Sequence, residues 1–195
     1  MKLICDKPAS PAVIALGANL PFGYMFPAEI LRAALAALEV EGITISGLSR
    51  FWRTPCFPAG AGPDYVNAVA LVHGHVLQEP EKFLSILHRI EADHGRERQS
   101  RWAGRTLDLD LIALGDSVLP DGATQDAWRD LPPGQQVSRA PDRLILPHPR
   151  LQDRAFVLVP MAEVAPDWIH PRLGLSTREM LARLPEADRA AVTPL

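Results

Sequence analysis

The stretch RTLDLDLIALGD, Arg105 to Asp116, alternates with a period of two. Leu107, Leu109 and Leu111 take one set of positions; Thr106, Asp108 and Asp110 take the other. Period two is the strand period, so one face of this strand is apolar and suited to a buried sheet. The opposite face carries both carboxylates, about 6 to 7 Å apart along the chain. Like charges at that spacing repel. Either both acids face water, or a bound cation compensates them.

The residues just upstream favour the cation. RERQSRWAGR, Arg96 to Arg105, holds four arginines and one glutamate. By itself this is a solvated charged loop. Beside an acidic strand it suits an anionic substrate with a metal counter-ion. The planar guanidinium fork matches phosphate oxygens bidentately, which lysine does not. Hard carboxylate oxygens suit Mg²⁺, which keeps several waters and shares substrate phosphates. Two such ions can clamp a phosphoryl group during displacement. Trp102, inside the cluster, either stacks on a ring or anchors the loop by packing.

Working outward, PAVIALGANL reads as a buried first strand ending at Gly17. Pro27 opens an amphipathic helix, PAEILRAALAALEV, with Gly42 as its stop. ITISGLSRFWRT has strand propensity, and GPDYVNAVALVHG reads as another strand. The Pro/Gly-rich PCFPAGAGP between them is too long for a tight hairpin and reads as a functional loop. Pro80 starts a second helix, with Phe83, Leu87 and Ile90 on one face and Gly95 beyond its end. The acidic strand follows. Positions 120–143 lose the pattern and read as a surface excursion with one helical turn. FVLVPMAEV returns to the core. Ser176 and Glu179 have capping-box spacing before a last helix holding Met180, Leu181 and Leu184. The order βαββαβ with C-terminal additions predicts one α+β domain over 1–195. The ferredoxin-like arrangement, an antiparallel sheet with helices on one face, satisfies it.

Composition excludes several classes. The 195 residues are 47% hydrophobic, enough for one good core. No run of 18 apolar residues occurs, so no membrane association is expected. MKLICDKPASPAV lacks a signal-peptide apolar region. Cys5 and Cys56 stand far apart, which argues against a disulfide framework and fits a reducing cytoplasm. The net charge of −3 provides no basic field for nucleic acid. No Walker-type or Rossmann glycine pattern occurs.

The histidines divide. His148, in LPHPR, is held by flanking prolines and is either a phosphate donor or simply exposed. His73 and His75 share strand alternation in HGH; without a third ligand they read as a strand end. His88 and His94 lie on the second helix, and His94 favours the dipole of its last turn.

Together, ALGANL, FWRTP, GPDYVNAV, RIEADHGRERQSRWAGRTLDLDLIALG and LPHPRLQDRAFVLVPMAEVAP resemble, in order, the 6-hydroxymethyl-7,8-dihydropterin pyrophosphokinase family of folate biosynthesis. The resemblance covers roughly residues 12 to 170. It implies a ferredoxin-like α+β fold and an enzyme that moves pyrophosphate from ATP to a pterin hydroxymethyl group, releasing AMP. It implies two Mg²⁺ ions held by Asp108 and Asp110, with Arg96 and Arg105 near the transferred phosphates. Glu91, Arg98, Leu111, Arg143, His148 and Arg154 fall at nucleotide-contacting positions. Thr54, Pro55, Phe57, Tyr65, Asn67 and Phe156 match the pterin pocket, with Trp102 closing a loop over it. The partners implied are ATP and a hydroxymethyl dihydropterin, met by a cytoplasmic monomer. The sequence departs from the family at Ala18, where serine is frequent, at Gln99, where some members carry lysine, and at Ala103–Gly104, which replace Gly-Pro.

Rival readings are a Mg-dependent phosphoryl or nucleotidyl transferase with another acceptor, a catalytically degenerate folate-pathway binding partner, and a ferredoxin-like RNA-binding module. The last lacks aromatics in AVIALG and YVNAVALV and has the wrong charge.

Overall fold

The computed structural model describes residues 10–56, 60, 62–95, 105–132, 134–135 and 139–195. Its elements run β1 (Ala12–Ala18), α1 (Pro27–Val40), β2 (Thr44–Leu48), β3 (Trp52–Thr54), β4 (Tyr65–His73), α2 (Pro80–Asp93), β5 (Asp108–Leu114) and α3 (Gly122–Arg129). Then come α4 (Ala155–Val164), α5 (Thr177–Arg183), α6 (Glu186–Ala190) and β6 (Thr193–Pro194).

The strands form one antiparallel sheet in the order β5-β1-β4-β3-β6, with β2 also paired to β4. The ITISGLSRFWRT segment is therefore a single lane broken in two. Ser49 makes the break: its N–H donates to the Val69 carbonyl at 2.9 Å, and its hydroxyl accepts the Val69 N–H at 3.0 Å. With β2 and β3 counted as one lane, the βαββαβ order and the ferredoxin-like topology expected above are present.

α1 and α2 cover one face. Ile14, Leu16, Ala68, Ala70, Leu109 and Leu111 pack there against Ile30, Leu31, Phe83 and Leu87. Both helices begin at the expected prolines, whose missing N–H costs nothing in the first turn. Glu29 accepts the Phe26 N–H at 2.8 Å and satisfies the start of α1. Gly42 and Gly95, with φ of 76° each, supply the left-handed turns past the two helix ends. The C-terminal additions cover the opposite face. There Val157, Leu158 and Met161 of α4 pack on Val13, Val69 and Ile112. α4 is apolar on nearly every side because it lies between the sheet and α5.

A bulge in β5 matters for the site. Ile14 pairs with Leu111, and Val13 pairs with Ala113, so Ile112 is the extra residue. Ile112 and Ala113 consequently both face the α4 layer. The Ile112 carbonyl accepts the His148 N–H at 2.8 Å, which ties the LPHPR loop to the acidic strand.

Two expectations need correction. The excursion at 120–143 contains α3, a two-turn helix rather than one turn. Asp121 caps it by accepting the Thr124 N–H at 2.9 Å. Its buried Gln125 donates to the Pro147 carbonyl at 3.2 Å, and Asp126 accepts from Arg172 at 3.1 Å and from Arg129 at 2.7 Å. His73 and His75 do not share strand alternation, because a 3-10 turn, His75–Gln78, begins immediately. The capping box before α5 forms as expected, with Ser176 and Glu179 exchanging bonds of 3.2 and 2.7 Å.

Candidate active site

The site lies on the α4 face of the sheet, toward the free edge of β5. Gly17 of β1 pairs with Asn67 of β4 on one side and Asp108 of β5 on the other. Directly opposed residues share a face. An amide and a carboxylate therefore flank a residue with no side chain. A Cβ built on Gly17 would stand 2.9 Å from Asn67 Oδ1 and 4.0 Å from the Asp108 Cβ. Gly17 keeps the floor between them open.

On the Asn67 side, Thr54, Tyr65 and Asn67 of the residues expected in the pterin pocket come together. Asn67 is 6% exposed, and its Nδ2 donates to Thr54 Oγ1 at 2.7 Å, which aims Oδ1 over Gly17. Tyr65 pairs with Thr54 across the strands. Burial raises the Tyr65 phenol above its ordinary pKa, with Arg105 opposing, so it stays protonated. Phe156, in the first turn of α4, keeps 39% of its surface exposed, and the Arg154 guanidinium lies 5.5 Å from its ring centroid. Pro55 is exposed at the end of β3. Phe57 lies outside the described residues.

On the β5 side, the period-two reading holds. Leu107, Leu109 and Leu111 are at most 4% exposed, while Asp108 and Asp110 turn to the other face. Arg105 binds Asp108 through Nη1, and Arg154 reaches Asp110 Oδ2 at 3.4 Å. The two carboxylates are thus already matched by two guanidiniums. Burial alone would lower the Arg105 pKa, but Asp108, with Asp110 and Tyr65 adding to it, holds the guanidinium above its ordinary value. Burial lowers the Arg154 pKa, with Asp110 opposing; arginine remains charged at neutral pH regardless.

A cleft of about 800 Å³ runs along this edge, lined by Arg105, Asp110, Leu111, Arg143, His148 and Arg154 among others. Five of these were expected at nucleotide or metal positions and one, Arg105, near the transferred phosphates; the structure brings them to one opening. His148 is held neutral: burial pushes its pKa well below the ordinary value, and Arg154 and Arg150 add to the shift. Its Nδ1 accepts the Arg150 N–H at 3.1 Å, so the proton of the neutral ring sits on Nε2 as a donor. Glu91 is placed differently. It is 1% exposed behind β5, and its Oε1 accepts the Leu109 N–H at 2.7 Å. It supports the acidic strand from the α2 side rather than walling the cleft. Arg96, Arg98 and Trp102 lie outside the described residues, as do Gln99, Ala103 and Gly104.

The donor set fits magnesium. Two hard carboxylates share a face, their side chains 18% and 36% exposed, and Asp110 opens into the cleft. Among the described residues no group of three or more His, Cys, Asp and Glu side chains could hold a metal unaided. Any ion here would complete its shell with water and substrate oxygens, as Mg²⁺ does.

Several contributors were not singled out from the sequence. Asn19, 2% exposed, accepts the Arg105 N–H at 2.7 Å and donates to the Pro63 carbonyl at 3.1 Å. It joins the Arg105 segment to the loop at Pro63 that leads into β4. Gly17, Arg150 and Trp128 were also missed. For Asn19 a signal existed in ALGANL, a polar residue directly after a buried strand. For Gly17 and Trp128 the role depends on partners distant in sequence.

Comparison with known proteins agrees with this geometry. The family model described as 7,8-dihydro-6-hydroxymethylpterin-pyrophosphokinase (HPPK) matches residues 13–166. A Synechocystis 2-amino-4-hydroxy-6-hydroxymethyldihydropteridine pyrophosphokinase is 36% identical over 94% of this chain and 80% of its own length. The Haemophilus influenzae protein of the same name is 34% identical, over 85% of this chain and 88% of its own. Among solved structures, wild-type Plasmodium falciparum HPPK-DHPS superposes with a TM-score of 0.63 at 14% identity, a likeness of fold. The match covers 92% of this chain but only 42% of that longer one. The chain belongs to the 7,8-dihydro-6-hydroxymethylpterin-pyrophosphokinase family.

Proposed function

We propose that this chain transfers pyrophosphate from ATP to the hydroxymethyl group of 6-hydroxymethyl-7,8-dihydropterin and releases AMP, a step of folate biosynthesis. The observation that carries the reading is the row Asn67–Gly17–Asp108 across three strands, which sets a heterocycle-binding amide beside the acidic edge of a nucleotide-sized cleft.

In this reading the pterin lies over Gly17, with Asn67 Oδ1 accepting from its ring and Tyr65 and Phe156 at its sides. Phe57 and Pro55 belong to the loop beyond. The triphosphate enters from the β5 edge. Asp108 and Asp110 would hold two Mg²⁺ ions, which would supply charge neutralisation at the phosphates and a lowered proton affinity at the attacking hydroxyl. Arg105 and Arg154, which pair with the two carboxylates, would present their guanidiniums to phosphate oxygens. Neutral His148 donates from Nε2 without adding charge. A new bond forms between the hydroxymethyl oxygen and the β-phosphorus. The bond from that phosphorus to the AMP oxygen breaks, and the hydroxyl proton leaves to solvent. Charge spreads over the phosphoryl oxygens in such a loose transition state, so pre-placed guanidiniums and positioning supply most of the acceleration. The enzyme is proposed to work as a cytoplasmic monomer; among the described residues no helix is long and apolar enough to cross a membrane.

The test is AMP release from ATP with Mg²⁺ and the hydroxymethyl dihydropterin. Asp110→Asn keeps the shape and removes the charge. It is expected to lower turnover at least 100-fold with an unchanged circular dichroism spectrum. Normal turnover by that variant would overturn the metal assignment. Absence of AMP from the unmodified enzyme would overturn the reaction.

A further inference from the structure

α3 has no part in the chemistry above, yet its Trp128 lines the nucleotide cleft. We propose that Trp128 is a nucleotide-binding residue whose indole stacks on the base of the nucleotide. This rests on the reading of the cleft as the nucleotide site, and it adds a wall contributed by the 120–143 excursion.

Three observations support it. Trp128 lines the cleft together with Leu111, Leu144 and Ile145, and Asp110 and His148 line the same cleft. The cleft joins charged side chains, among them Arg105, Asp110, Arg143 and Arg154, to apolar ones, which is what a nucleotide requires: charge for its phosphates and flat greasy surface for its base. Next, α3 is held firmly. Its buried Gln125 donates to the carbonyl of Pro147, the neighbour of His148, and Asp126 joins Arg129 to Arg172 of the C-terminal segment. The indole and His148 are thereby fixed to one frame. Finally, one face of the indole already receives a planar group. The Arg139 guanidinium stands 5.4 Å from the ring centroid. Arg139 is exposed, so yielding that place to a base costs little. Aromatic side chains take part in base stacking because every base has a π-face, with large losses on alanine substitution.

The experiment is calorimetric binding of ATP and of inorganic tripolyphosphate to the full chain with Mg²⁺, for the unmodified protein, Trp128→Ala, Trp128→Leu and Trp128→Phe. Tripolyphosphate reports the phosphate arm alone. Stacking predicts that Trp128→Ala and Trp128→Leu weaken ATP about tenfold, equal to about 1.4 kcal/mol, and leave tripolyphosphate within twofold. Trp128→Phe should recover most of the loss. Leucine keeps apolar bulk, so it reads the π-face even if alanine destabilises α3. Equal losses for both ligands, or no loss for ATP, would overturn the proposal. The binding arms need no turnover: an unmodified protein that binds ATP through Trp128 but releases no AMP would sink the reaction and leave the stacking intact.

Discussion

Gly17→Ala is the sharpest perturbation the site offers, because one methyl lands between its two halves. The added Cβ would sit 2.9 Å from Asn67 Oδ1, closer than a carbon and an oxygen can rest, but 4.0 Å from the Asp108 Cβ, an ordinary contact. All the strain therefore falls on Asn67. That side chain is 6% exposed and pinned by its 2.7 Å bond to Thr54 Oγ1, so it cannot yield without losing the bond. Losing it costs about 0.5 to 1.5 kcal/mol net, and overpacking adds about 1 to 3 kcal/mol. Replacing glycine within a strand returns about 0.5 to 1 kcal/mol. The folded state should lose about 0.5 to 4 kcal/mol by these terms, seen in urea unfolding. The functional effect should be lopsided. Pterin affinity should fall by about tenfold or more, since the methyl occupies the floor and Asn67 Oδ1 is displaced. ATP affinity should stay within twofold. Calorimetric titration of each ligand separates the two. Equal losses, or unchanged pterin binding, would refute the idea that Gly17 is the open floor between the sub-sites.

Two further outcomes follow from buried groups. His170 is fully buried; burial, then Arg129, lower its pKa to about 4, and its Nδ1 accepts the Arg172 and Leu173 N–H groups at 3.1 and 3.3 Å. Its folded pKa lies below the unfolded value, so the unfolded chain takes up a proton first as pH falls. Stability should then decline from about pH 6.5 to about 4, by about 2 to 3 kcal/mol. His170→Asn, which keeps an acceptor and cannot titrate, should flatten that limb in urea titrations across the range; an unchanged slope would assign it to other groups. Glu91→Ala should destabilise the fold by about 1 to 3 kcal/mol, because the Leu109 N–H loses its acceptor inside the core. A neutral result in the same unfolding assay would mean that water replaces the carboxylate.

Much of the frame was legible. Leu107–Leu109–Leu111 against Asp108–Asp110 is a pattern that only a half-buried strand satisfies, and Pro27 with Gly42, or Pro80 with Gly95, punctuate helices by backbone chemistry that does not depend on context. α4 was harder to read. FVLVPMAEV is apolar around its whole circumference and so shows no periodicity, and only its position between sheet and α5 makes it a helix. The break at Ser49 was hidden because the segment's strand propensity is continuous, and the hydroxyl that replaces a ladder bond acts on Val69 in another strand. α3 has a largely polar sequence, and its distant anchors, Pro147 and Arg172, are not visible in its own residues. In the site, the charged residues were legible because their types carry the chemistry. Gly17 and Asn19 were not, since their work is to leave space and to bridge backbones.

The placement of the acids on β5 has a physical logic of its own. β5 is the outer lane of the sheet, and an open edge invites pairing with foreign strands. The bulge at Ile112 breaks the regular run of that edge, and the Ile112 carbonyl is taken by the His148 N–H. The hydrogen bond that blunts the edge thus also brings a neutral imidazole into the cleft that Asp110 lines. Charged side chains on an edge strand discourage pairing by the same physics that lets them attract a metal. Deeper in the sheet, two carboxylates would need full desolvation and would face no cleft. At the edge they keep one side on the apolar core, through alternate leucines, and the other open to an ionic substrate. The features that protect this strand from aggregation are therefore the ones that equip it for phosphate chemistry.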